Sequence, residues 1–372
     1  VTPAELSRTV LRSVRGAVEE QELSVPVPAR IVVGPPPRPG CGDYASNVAL
    51  QLAGPAGRPA REVAEILRKR LAGSAGIARV EIAGPGFLNF TLGDGALTAL
   101  VRQVLAQGDG YGGTWAEQSP DVFGEVVDGA FRAVAGCAAG GAREAVVGEV
   151  LARIDAAAGT GGRRDGGRPA LVPVAYDLAT LTARLGSDEA RWALLRPAAH
   201  DPVRVPERPV QRESNPRFRV QYAHARVRAL VRNAGELGFV SEPGDVGRPA
   251  GAGGPAPAAR RAPEQAPQRS APESAPAAAG PFPCLQALQT LLATYPSVID
   301  AAARLRAPDR VLRHLEATAD AFFRWHDDFP PLPVGEQKPL AVHRARLALA
   351  EAGGTVLANG LRLLGISAPA HL

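Results

Sequence analysis

The second half of the chain is written almost entirely in helical spacing. Leu285, Leu288, Leu291 and Leu292 open a series that continues through residues 311–323 and 344–364, with apolar side chains returning every three or four positions. An earlier segment, 215–237, gathers Val220, Ala223, Val227, Leu230, Val231, Ala234 and Leu237 on one side of a helix. These periods predict an all-α bundle. Between them lies a run, 242–283, of Pro, Ala, Gly and Ser with scattered Arg and Glu. It is too poor in large apolar side chains to offset the entropy of ordering, and it is expected to be a disordered insertion that folding does not need.

The first half reads differently. Leu6, Val10, Val14 and Val18 recur every four residues after a Thr-Pro start suited to a helix cap, which predicts one amphipathic helix over 2–21. Residues 31–33 read as a short strand and 42–52 as a helix, with Asp43 and Tyr44 holding the turn before it. A further helix spans 59–71 and buries Val63, Ile66 and Leu67. Strands at 80–82 and 87–92 meet across Gly84-Pro85-Gly86, and a helix over 97–105 closes an α+β domain. From 108 to 167 glycines are frequent and aromatic residues few, with one helix over 143–154. Leu178, Leu181, Leu185, Trp192 and Leu195 then predict two helices, the second capped by Ser187 with Asp188 and Glu189 in its first turn.

The formal net charge is +5 and the sequence pI about 9.5, compatible with a polyanionic partner. Nearly all the basic residues are arginine, a bias that a GC-rich coding sequence also produces. Cys41, Cys137 and Cys284 are odd in number, far apart and without metal-ligand spacing, which points to a reducing cytoplasm and no structural metal; no cofactor is expected either. No apolar run approaches the roughly 18 residues of a membrane span, and the N-terminal residues lack the apolar core of a signal peptide.

Gly42-Asp43-Tyr44-Ala45-Ser46-Asn47-Val48-Ala49, then 82–90 (Ile-Ala-Gly-Pro-Gly-Phe-Leu-Asn-Phe), then 215–226 (Asn-Pro-Arg-Phe-Arg-Val-Gln-Tyr-Ala-His-Ala-Arg) resemble, in that order, the N-terminal and anticodon-binding domains of arginyl-tRNA synthetases. The end of the chain, from Val356 through Pro369, resembles that family's terminus. The resemblance implies a tRNA-corner-binding domain over 1–110, a reduced glycine-rich remnant over 111–175 in place of the catalytic domain, and an α-helical anticodon-binding domain over 176–372. It further implies tRNA of the arginine type as partner. The catalytic signatures of the family are absent. The chain has no methionine, its only lysines are Lys69 and Lys338, and its histidines never fall within four residues of one another. The span from 112 to 185 is also short for a doubly wound domain, whose βαβ units take roughly 30 residues each. The expectation is therefore a non-catalytic, monomeric tRNA-binding paralogue. The alternative is a protein-interaction module that docks a synthetase or another enzyme using aminoacyl-tRNA. A third reading, new chemistry around Cys137 and Asp155, lacks any visible nucleophile, base or metal cluster.

The candidate contacts lie at both ends. From Ser214 to Gly235 there are five arginines and no acid. Opposite the core face, Phe218 and Tyr222 stand between Arg219 and Arg226 on one flank and Arg228 and Arg232 on the other, a pattern suited to stacked bases and paired phosphates. The alternative is that Tyr222 packs against a neighbouring helix and the arginines form a solvated face. His224 falls between core and flank and is expected to be structural. The resemblance places Leu372 near the anticodon loop, where the family usually ends in methionine. It also places Phe87 and Asn89 where the synthetases read an unpaired D-loop base. Alternation puts both on one face of the strand and Leu88 and Phe90 on the other, so one pair belongs to the core.

Overall fold

The computed structural model describes residues 2–34, 36, 41–93, 95–113, 141–159, 167, 169–208, 211–247 and 282–372. Helix α1, Pro3–Glu19, starts with a capping box in which Thr2 and Glu5 exchange bonds between side chain and backbone. It packs on α3 (Ala60–Leu71), which with α2 (Val48–Ala56) covers a small antiparallel sheet, while α4 (Ala96–Gln107) packs against the helical part of the chain. The strands are β1, Tyr44–Ser46, β2, Ile77–Ala83, and β3, Phe87–Leu92, in the order β1-β3-β2. Gly84 and Gly86 take the positive φ expected of the connecting turn, and a Cβ on Gly86 would lie 2.9 Å from the Ala60 carbonyl oxygen.

Three local expectations change. Residues 31–33 form no strand; Gly34 makes one bridge to Ala45, and Ile31 is buried. Tyr44 begins β1 rather than holding a turn. Asp43 caps no helix; its carboxylate accepts from the Leu92 backbone N–H at 2.7 Å and so fixes the end of β3.

The helical part comprises α5 (Ala142–Ala157), α6 (Leu178–Leu185), α7 (Ser187–Leu195), α8 (Pro216–Glu236), α9 (Pro283–Leu305), α10 (Asp309–Asp328) and α11 (Ala341–Leu363). The described residues thus combine a small antiparallel sheet with many helices. Ser187 is the first residue of α7 and makes no side-chain cap, because Gly186 occupies the cap position. Leu237 sits beyond α8 and is 51% exposed, whereas Val220, Ala223, Val227, Leu230 and Ala234 are buried as their spacing predicts. Most of 242–283 lies outside the described residues. Its first residues do pack: Val246 is buried, the Glu242 N–H bonds the Arg344 carbonyl, and Pro283 opens α9.

The two halves share one core, and polar bonds register them. The Tyr111 hydroxyl donates to the Leu292 carbonyl at 2.8 Å, and the Asn359 amide donates to the carbonyls of Gly108 and Tyr111 at 2.9 and 3.2 Å. Asn359 stands in α11 beside Gly360, where any Cβ would fall inside the Leu315 side chain. Gly360→Val should therefore overpack the bundle and destabilise the fold by about 2–3 kcal/mol, read as a lower urea midpoint.

Candidate nucleic-acid interface

Helix α8 begins at Asn215, whose side chain accepts from the Arg217 N–H, with Pro216 in the first turn. Spacing of four residues places the Phe218 and Tyr222 rings one above the other, and they stack with centroids 6.0 Å apart and an interplanar angle of 5°. Phe323 of α10 continues the pile on Tyr222 at 5.5 Å. All three rings are half-buried. Tyr222 therefore packs on a neighbouring helix and keeps an outward surface, so the two readings of its role coexist.

The arginines differ in what already holds them. Arg219 lies with its guanidinium 5.1 Å from the Phe323 ring centre and its Nε 2.5 Å from an Asp320 carboxylate oxygen, so its charge is engaged within the protein. Arg226 and Arg228 are exposed and have no acidic partner among the described residues. Arg226 faces His326, whose pKa burial and this cation both lower. Arg232, also exposed, donates to the Ala370 carbonyl at 3.3 Å and lies 3.3 Å from His371 Nδ1.

The C-terminal tail runs along the Arg228 and Arg232 flank of α8. The Gln221 amide donates to the Ser367 carbonyl at 2.9 Å and to Asp188 at 2.8 Å, and Asp188 also accepts from the Ser367 N–H at 3.1 Å. His224 Nδ1 lies 3.0 Å from the Pro369 carbonyl, and burial lowers its pKa, so a neutral ring donates this bond. His224 is thus a fastening for the tail. Leu372 ends the tail, 57% exposed. The outward strip of α8 becomes the floor of a groove, with Phe323 on one wall and the tail on the other.

Beneath this surface Glu189 accepts from Arg217 Nε at 2.7 Å and from the Asn215 amide at 2.8 Å, and Arg217 also meets the Gln221 carbonyl. The network is buried and charge-assisted, and it holds the first turn of α8 rigidly. Sequence reasoning missed it because Asp188 and Glu189 read only as favourable charges in a first helical turn. It missed Phe323 as well; its one signal was the pair Phe322-Phe323, of which only one ring can face the core.

Phe87 and Asn89 stand on β3, in the other half of the molecule, and are not brought to this groove. Leu88 and Phe90 are fully buried and form the core face, which puts Phe87 and Asn89 on the opposite side of the sheet. Phe87 is half-buried, while Asn89, facing Ala45 and Glu81 across the central strand, is only 6% exposed. Cys137 lies outside the described residues. Among the described residues no group of acids, histidines and cysteines could hold a metal, and no helix is long and apolar enough to cross a membrane.

Comparison with known proteins bears on both ends. Residues 8–92 match the family described as arginyl tRNA synthetase N terminal domain, and residues 284–372 match the DALR anticodon binding domain. The Arginine–tRNA ligase of Frankia alni is 45% identical over 159 residues, 43% of this chain and 28% of that protein. That of Paenarthrobacter aurescens is 36% identical over 198 residues, 53% of this chain and 30% of its own length. The matches thus span under a third of these relatives. The solved Thermus thermophilus arginyl-tRNA synthetase shares the fold, with a TM-score of 0.55 and 14% identity over 100% of both chains. The expectation of a catalytically inactive chain that is not an enzyme is overturned here. The relatives are named as ligases, and the solved neighbour is a synthetase aligned along the whole chain. That expectation rested on the missing catalytic signatures and on the short span from 112 to 185. Residues 8–92 and 284–372 are thus similar to the N-terminal domain of arginyl-tRNA synthetases and to the DALR anticodon binding domain, and the similar proteins are named arginine–tRNA ligases.

Proposed function

We propose that the chain is a cytoplasmic tRNA-binding protein of the arginine–tRNA ligase type, with tRNA of the arginine type as its partner. In this reading residues 176–372 take the anticodon loop on the groove of α8, and residues 1–110 meet the corner of the same tRNA. The observation that carries it is the three-ring stack of Phe218, Tyr222 and Phe323 beside the uncommitted cations Arg226 and Arg228. Bases of a single-stranded loop extend such a stack, while phosphates pair with guanidinium groups. Arg232 and Leu372 border the same groove. Arg219 serves it indirectly, by holding Phe323. Phe87 offers a ring at the sheet surface, and the nearly covered Asn89 offers only an edge.

The test is filter binding of whole tRNA and of an isolated anticodon stem-loop across a salt series, with circular dichroism to verify folding. Arg226→Ala should weaken both RNAs and flatten the log–log salt slope by about one contact. Asn89→Ala should weaken whole tRNA and leave the stem-loop unchanged. Wild-type behaviour of both folded variants would remove the support for this reading.

A further inference from the structure

Next to the first turn of α8 lies a cleft of about 760 Å³ whose walls include Trp192, Arg196, Arg204, Arg208, Asn215 and Arg313. We propose that it holds the sugar–phosphate backbone of the RNA strand that leaves the stacked loop, an extension that rests on the RNA-binding reading above. Four guanidinium groups face one opening, and they are not equivalent. Arg196 is bound to Glu316 at 2.8 Å and Arg313 to Asp309 at 3.1 Å. Arg204 and Arg208 are exposed and have no acidic partner among the described residues. Two of the three acids of the wall are paired with arginine. Glu189 is held by Arg217 and Asn215, Glu316 by Arg196, and Asp201 lies 3.6 Å from His200. The cleft therefore presents two free cations, with Glu189 and Glu316 already paired and Asp201 the one wall carboxylate without an arginine partner.

Trp192, 2% exposed, forms part of the inner wall of the cleft. The cleft also adjoins the N-terminal end of a helix of 21 residues, where the aligned peptide dipoles favour an anion. Continuity fixes which anion. Pro216 lines the cleft and Phe218 begins the ring stack, so a strand with its bases on Phe218 and Tyr222 has its next phosphates beside Arg204 and Arg208. A free mononucleotide would not exploit that continuity; a strand does.

The experiment compares an anticodon stem-loop carrying its full stem with an oligonucleotide of the loop alone, against wild type, the Arg204→Ala/Arg208→Ala double variant and the corresponding double lysine variant. Both side chains are exposed, so the fold should persist, and circular dichroism verifies it. The double alanine variant should bind the full stem-loop about tenfold or more weakly near 0.1 M salt and flatten its salt slope by about two contacts. It should bind the loop oligonucleotide as wild type does, and the lysine variant should retain the slope. If the double alanine variant binds the stem-loop normally while Arg226→Ala weakens it, the cleft proposal fails and the RNA reading stands. Equal weakening of both RNAs would place these arginines on the loop and overturn the proposal too. Binding of neither RNA by wild type would overturn both readings together.

Discussion

Arg143→Met should lower stability by about 3–5 kcal/mol, seen as a fall in urea midpoint with an unchanged slope. Arg143 is the second residue of α5 and is 1% exposed. Its guanidinium donates to the backbone carbonyls of Val172, Leu194, Pro197, Ala198, Ala199 and Asp201, at 2.8 to 3.3 Å. Five of those carbonyls end α7 and form the turn after it, where helical partners run out, and the sixth, of Val172, belongs to the segment before α6 that bonds the same turn. A planar group with five donors suits them, and burial lowers its pKa while Glu144, Asp201 and Asp309 oppose that. Removing it strands several acceptors at once. Arg143→Lys should recover only part of the loss, because an ammonium has three donors in a different geometry. Losses below about 1 kcal/mol for the methionine variant would mean that the turn finds other donors.

The second large effect concerns acid. His314 on α10 is buried, with its Nε2 unpartnered and its ring 5.7 Å from that of Tyr295, and burial pushes its pKa down to about 4. The unfolded chain, with an ordinary histidine pKa near 6.5, therefore takes up this proton first as pH falls. Stability from the neutral buried ring is complete above about pH 6.5 and is lost progressively towards pH 4, about 3 kcal/mol in all. His224, His326 and His343 shift in the same direction and add to the slope. His314→Leu should flatten the decline between pH 6.5 and pH 4 in thermal or urea denaturation. An unchanged decline would show that His314 is hydrated in the folded protein.

Both effects arise from groups that the sequence made hard to see, and for one reason. Arg143 meets carbonyls 29 to 58 positions away, so nothing near it in the chain marks it as buried. Its helix was legible from Val146, Val150 and Ile154, but the destination of its first turn was not. The local signals succeeded where a period or a turn decides the outcome: the core face of α8, the Gly84–Gly86 turn between β2 and β3, the Thr2 cap. Three-residue β1 was missed because its pairing with β3 is long-range and too short for alternation to show. At the groove, Phe218, Tyr222 and the exposed arginines followed from helical geometry alone. Phe323, the commitment of Arg219 to Asp320, and the path of the tail required knowing which helices are neighbours.

The central claim is that the ring stack on α8 receives RNA bases, and Tyr222→Ala in whole-tRNA binding tests it most directly. Loss of a stacked base should cost about 1–3 kcal/mol, roughly a 5- to 150-fold loss of affinity, with the salt slope unchanged because no phosphate contact is removed. A folded Tyr222→Ala protein that binds tRNA as tightly as wild type across the salt series would contradict the account.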